Sequence, residues 1–198
     1  MRFLIALLIT ATCLFSCRKK DVSSTADIIK TVTDIDTHLK DYRIKHSDDL
    51  TSGVQTSIAG YYREGEVKKY VTDHFGSNGE DGEIRKIITC RFADDSRTFA
   101  SYYFDGGKVI YVVKQQFTYN KPQSYTEDKA RANSDTVWYN DKKTSLEEYH
   151  FYFNDNKLIK LTTGDNKPLS LSEANFKYQE SELWAQAKIL MKELSDTE

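Results

Sequence analysis

A nine-residue segment recurs in this chain without a gap, at an offset of 49 residues. Tyr102-Tyr103-Phe104-Asp105-Gly106-Gly107-Lys108-Val109-Ile110 aligns to Phe151-Tyr152-Phe153-Asn154-Asp155-Asn156-Lys157-Leu158-Ile159. Aromatics match aromatics, turn residues match turn residues, and aliphatics match aliphatics. Gly and Asn tolerate the positive φ that a tight hairpin requires. Each copy therefore predicts one β-hairpin: an aromatic strand, a short turn and an aliphatic return strand. A weaker third copy is Tyr61-Tyr62-Arg63-Glu64-Gly65-Glu66-Val67. The spacing is too irregular for a propeller or a solenoid, so the copies are read as hairpins within one sheet.

Thr, Val, Ile, Tyr and Phe at period two extend this reading. Strands are expected near 58–63, 67–75, 84–93, 97–104, 108–118, 147–153 and 157–163, with a polar linker over 45–57. Strands joined this tightly pair antiparallel. Helices flank the sheet. Ser24-Thr25-Ala26-Asp27 is a start signal, and Ile28, Val32, Ile35, Leu39 and Tyr42 follow on one helical stripe. Ser170-Leu171-Ser172-Glu173 fits a capping box before a stripe from Phe176 through Leu183, Trp184, Ala187, Leu190 and Met191 to Leu194. The expected fold is α+β: a curved antiparallel β-sheet of repeated hairpins, with an N-terminal and a C-terminal amphipathic helix. The simplest packing puts one or both helices on one face.

The N-terminus predicts where such a domain resides. Arg2 precedes an apolar run through Phe15, and Ser16-Cys17 follows. That pattern is a secretory signal peptide, and it is shorter than the roughly 20 apolar residues that a bilayer span needs. Leu14-Phe15-Ser16-Cys17 resembles the lipobox of bacterial lipoproteins, in which the cysteine is acylated and becomes the mature N-terminus. The expected organisation is a signal peptide over 1–16, a lipidated tether over 17–23 and a single α+β domain over 24–198. Several acyl chains on Cys17 would hold stably to a membrane, whereas one alone is marginal. The expected location is the cell envelope, on the periplasmic side of the outer membrane, with exposure at the cell surface as the alternative. Of the three cysteines, only Cys90 would then remain in the domain. No intramolecular disulfide is possible, and Cys90 is read as a buried structural thiol beside Ile88 and Phe92.

Further motifs strengthen the resemblance. In order they are Gly60-Tyr61-Tyr62, Tyr102-Tyr103-Phe104-x-x-Gly107-Lys108, Tyr119-Asn120-Lys121-Pro122, Lys142-Lys143-Thr144 and Phe151-Tyr152-Phe153-x-x-x-Lys157-Leu158-Ile159. Over residues 57–195 the chain resembles a group of small bacterial lipoproteins with repeated YYFxxGKLI-type hairpins. It departs from that form at Asp155-Asn156 and at Tyr149-His150. The resemblance implies fold and location, and brings no catalytic residue with it.

Chemistry is sparse. The chain carries 28 basic and 30 acidic residues, for a net charge of −2. A near-neutral mixture has no electrostatic footprint for nucleic acid. His38, His46, His74 and His150 lack a second ligand at metal spacing. The acidic turns Glu80-Asp81-Gly82-Glu83 and Asp94-Asp95 do not match a calcium loop. No glycine-rich loop precedes a helix to cradle phosphate. Neither a metal nor a cofactor is expected, and no catalytic residue is assigned. The long segment from Tyr119 to Ser145, with one or two helical turns near 126–132, is the candidate contact region. Its Tyr125, Trp138 and Tyr139 are amphipathic aromatics that favour interfaces, or else Trp138 and Tyr139 open a further strand. The expected function is a lipid-anchored, non-enzymatic binding or interaction module. Its partners are the membrane and a protein or small molecule. Alternatives are an envelope inhibitor or immunity protein, a hydrolase of cell-wall or glycan substrates built on Asp73, His74, Glu147 or His150, and an assembly component that pairs through free strand edges.

Overall fold

The computed structural model describes residues 24–51, 54–63 and 83–196; for 43, 45–51, 54–63, 195 and 196 it describes the backbone only. The signal segment, Cys17, the tether, the predicted strand over 67–75, Asp73 and His74 lie outside the described residues.

Helix α1 spans Thr25–Thr37 and starts where Ser24 Oγ accepts from the Asp27 amide at 3.2 Å. Ile28, Val32 and Ile35 form its buried stripe. The helix stops sooner than the stripe predicts. Thr31, Thr33 and Thr37 bond their hydroxyls to carbonyls one turn back, which competes with clean helix propagation. His38 caps it, and Leu39–Asp41 continues as a 3-10 turn. Tyr42 is still buried.

Seven strands follow: β1 (Arg43–Thr51), β2 (Val54–Arg63), β3 (Glu83–Phe92), β4 (Ser96–Asp105), β5 (Lys108–Thr118), β6 (Ser145–Asn154) and β7 (Lys157–Thr163). They form one open antiparallel sheet in the order β1 to β7. The segment 45–57 is therefore strand, not linker. β1 is an edge, and an edge strand needs backbone pairing on one side only, so polar residues fill it without the expected alternation. β2 is flanked by β1 and β3, so β3 occupies the place expected for a strand over 67–75.

The two strong hairpins share a register. In each, the first strand steps by one residue against the second, between Tyr103 and Phe104 and between Tyr152 and Phe153. The same step occurs between Tyr61 and Tyr62 against β3. The extra residues are Arg85, Ile110 and Ile159, each the third of its strand. Their turns take positive φ at Gly106 and Gly107, and at Asp155 and Asn156.

Helix α3 spans Glu173–Asp196. Its cap is Ser172, whose Oγ accepts from the Asn175 amide, so the box sits two residues later than Ser170 predicts. Leu183, Ala187 and Leu194 bury against Tyr102, Phe104, Val112, Phe151 and Phe153. The stripe of α1 buries against Tyr103, Tyr111 and Tyr152. The helices thus cover opposite faces, which corrects the one-sided packing. Side chains alternate across a strand, so a run of three aromatics is apolar on both faces and both need cover. Among the described residues, no helix is long and apolar enough to cross a membrane.

Candidate functional site

Each helix covers only part of its face, toward the hairpin turns. On the α3 side, Tyr102 pairs with Val112, and the next positions outward are Thr89, Ala100 and Lys114, then Arg91, Thr98 and Gln116. Apolar residues give way to polar ones along the same face. A cleft of about 480 Å³ opens here between the sheet and α3. Its floor comes from β3, β4 and β5, and its wall from Glu182, Gln186, Ile189 and Leu190. The volume falls in the ordinary range for small-molecule sites.

The electrostatics of the cleft are uneven. Tyr102 donates to Gln186 Oε1 at 2.8 Å, and Gln186 Nε2 donates to Glu182 Oε1 at 3.2 Å. Burial, then the Glu182 charge, pushes the Tyr102 phenol far up, so Tyr102 is a neutral donor fixed at this inner end. Arg91 and Lys114 have no ion-pair partner among the described residues. Among the described residues, two cations thus line a ligand-sized cleft that holds a single carboxylate, Glu182.

The α1 side carries a polar relay. Glu148 Oε1 lies 2.8 Å from His150 Nε2, and His150 Nδ1 meets the Tyr111 hydroxyl. Gln115 Nε2 donates to the other Glu148 oxygen. Hydrogen bonds from Gln115 and then His150 hold the Glu148 carboxyl below its usual range. Burial, followed by Tyr152, pushes the Tyr111 phenol well up. A carboxylate, an imidazole and a hydroxyl in line have the form of a catalytic relay, but Tyr111 is buried against Tyr103 and Tyr152 rather than open to a substrate. Glu147, named with His150 for the hydrolase alternative, points to the opposite face and accepts from Tyr149. A second hollow, about 560 Å³, is lined by Glu147, Glu148 and Asp165 among others. All three carboxylates already have partners there.

The long segment is ordered. It contains α2 (Glu127–Ala132) and a 3-10 turn at Asp141–Lys143, and Trp138 and Tyr139 do not form a strand. The acidic turn Asp94-Asp95 anchors it. Asp94 accepts from the Ser124 amide and hydroxyl, and Asp95 O accepts from the Tyr119 amide. Tyr125 donates to Asp135, with Lys121 over its ring. Tyr139 packs edge-on against Tyr119 with centroids 5.4 Å apart. The Tyr139 amide bonds the Tyr125 carbonyl, so these two aromatics build the loop. Trp138 remains 38% exposed, beside exposed Val137. The three aromatics do not converge on one hollow.

His38 bonds its own helix through Asp34, and His46 lies in β1. Cys90 is half-buried, not buried, because β3 passes beyond the cover of α1 there; burial raises its pKa. Among the described residues, no group of three His, Cys, Asp or Glu side chains could hold a metal ion. Arg91 and Lys114 escape sequence reasoning. The one signal for them is the switch on β5 from Val109 and Val112 to Lys114 and Gln116. No protein-family model, curated protein or solved structure matches this chain.

Proposed function

We propose that this chain is a lipid-anchored protein of the cell envelope that binds a ligand, without transforming it, in the cleft between α3 and strands β3–β5. One observation carries the binding reading: Arg91 and Lys114 line a ligand-sized cleft without an ion-pair partner among the described residues. Cations beside a concave, ligand-sized surface offer charge-assisted bonds to an anionic ligand. The anchor rests on the lipobox-like Leu14-Phe15-Ser16-Cys17. The proposed setting is the periplasmic side of the outer membrane.

The hairpins are read as copies of one unit. The shared placement of Arg85, Ile110 and Ile159 as the extra third residue of β3, β5 and β7 supports this. Bulges raise local twist and bend a strand, so three aligned bulges would curve the sheet around its helices.

Two experiments test the reading. Cys17→Ser should leave membrane fractions or keep its signal uncleaved; normal maturation and fractionation would remove the anchor. For binding, the parent and Thr98→Trp would be recovered from envelope and their extracts compared by mass spectrometry. A small molecule retained by the parent and lost from the filled cleft is expected. Identical extracts would sink the binding proposal.

A further inference from the structure

We infer that the cleft takes a ligand carrying a carboxylate or phosphate group beside an apolar portion. The anion sits between Arg91 and Lys114, and the apolar portion lies against Ile189 and Leu190. This rests on the cleft being a binding site, and deepens that reading.

The strand register sets the geometry. Arg91 pairs with Thr98, which pairs with Gln116; Thr89 pairs with Ala100, which pairs with Lys114. The two cations therefore occupy diagonal corners of a three-strand floor. Strands are spaced about 4.8 Å apart and paired rows about 6.6 Å, which puts the two Cα atoms roughly 12 Å from each other. Side chains of this length can converge from there on one anionic group. Between them lie Ala100, too small to fill the gap, and Thr98, whose hydroxyl can donate.

Charge favours an anion. The one carboxylate of the cleft among the described residues, Glu182, is engaged by Gln186. Charge-assisted bonds from Arg and Lys to such groups are the strong ones. The wall argues for more than a bare anion. Ile189 is 63% exposed on α3, although it borders the cleft, and Leu190 beside it is partly buried. An apolar wall next to two cations matches an amphiphilic anion.

The same chemistry belongs to a soluble metabolite and to an anionic lipid headgroup, so the experiment has arms for both. The full chain in nanodiscs of zwitterionic lipid would be titrated with phenyl phosphate, inorganic phosphate and phenyl glucoside. Phenyl phosphate is expected to bind tightest, and more weakly as salt rises. Arg91→Gln and Lys114→Gln should each weaken it roughly tenfold, the size of one charge-assisted bond. Ile189→Ser should erase its advantage over inorganic phosphate. Discs containing phosphatidylglycerol should compete with it if the natural occupant is a headgroup, and leave it unchanged if the occupant is soluble. Binding that ignores both charge substitutions overturns the inference. If phenyl glucoside alone binds, and Thr98→Trp blocks it, the cleft remains a binding site and only the anion assignment falls. If no probe binds, both fall.

Discussion

Lys86 Nζ lies 2.6 Å from Asp36 Oδ1, and this contact joins α1 to the sheet across fifty positions of sequence. Tyr103 donates to the other Asp36 oxygen at 3.0 Å, and the Lys86 ammonium sits 4.6 Å from the Tyr103 ring centroid. The Lys86 side chain is only 8% exposed, whereas that of Asp36 is 42% exposed. Removing either partner is therefore unequal. Asp36→Ala leaves a buried ammonium uncompensated and should cost about 1–3 kcal/mol, less than a fully buried pair. Lys86→Met removes the buried charge, keeps the volume and should cost under about 1 kcal/mol. Urea unfolding of both variants checks this; equal losses would show that the asymmetry of burial has no energetic consequence.

Glu148 should make stability fall in acid. Its folded pKa is depressed by the Gln115 and His150 hydrogen bonds. A depressed carboxyl contributes fully above its unfolded value of about 4.3, and the contribution is lost as pH falls through the folded value. Denaturant midpoints at pH 7 and pH 3 should therefore differ less in Glu148→Gln than in the parent. In Gln115→Leu, the Glu148 titration followed by NMR should shift upward. An unmoved titration would mean that the Gln115 bond does not set it.

Two glycines should respond differently to a methyl group. A Cβ on Gly164 would lie 3.0 Å from both Cβ and Oε1 of Glu148, too close without movement. Gly164→Ala should cost about 1–3 kcal/mol, as overpacking does, and perturb the His150 ring resonances through Glu148. Gly107 has φ +72° and nothing within 4 Å of its would-be Cβ. Gly107→Ala should cost about 1–2 kcal/mol from backbone conformation alone, with no change at His150. Thermal unfolding and NMR spectra separate the two cases.

The 119–144 segment should depend on Asn120 more than on its exposed tryptophan. Asn120 donates to the Trp138 carbonyl and accepts from the Asn140 amide, each at 2.9 Å. Asn120→Ala leaves both groups without this partner and should cost about 1–3 kcal/mol. Hydrogen exchange should speed up across 119–144 while β4 and β5 stay protected. Trp138→Ala should change stability by under about 1 kcal/mol, since the indole is substantially exposed. A large loss there would reveal packing that its exposure does not suggest.

Much of the fold is legible because its signals are local. The β4–β5 and β6–β7 hairpins follow from aromatic runs and from turn residues that accept positive φ. The start of α1 follows from Ser24 and the Asp27 amide three positions on, whereas α3 starts two residues beyond the box at Ser170. β1 is not legible, because a polar edge strand carries no hydrophobic period. The early stop of α1 is not legible either, since Leu39 and Tyr42 continue its apolar stripe while the backbone tightens into a 3-10 turn.

The candidate site is less legible for the same kind of reason. Arg91, Thr98 and Gln116 sit on three strands, and only their pairing makes them neighbours. Glu148, and not the Glu147 of the hydrolase alternative, lies beside His150, because one residue along a strand is the opposite face.

Residue order is enough to specify an antiparallel sheet with aromatic hairpins and a helix toward each end of the domain. Period, turn chemistry and capping act over a few residues, so they survive without the fold. The tertiary structure alone decided that α1 and α3 cover opposite faces. It alone left the outer half of the α3 face open, with Arg91 and Lys114 on it. Those outcomes depend on strand register and on α3 crossing from β7 to β1 near the hairpin turns, which leaves the far halves of the strands uncovered. Both bring together residues far apart in the chain, and no local pattern encodes them.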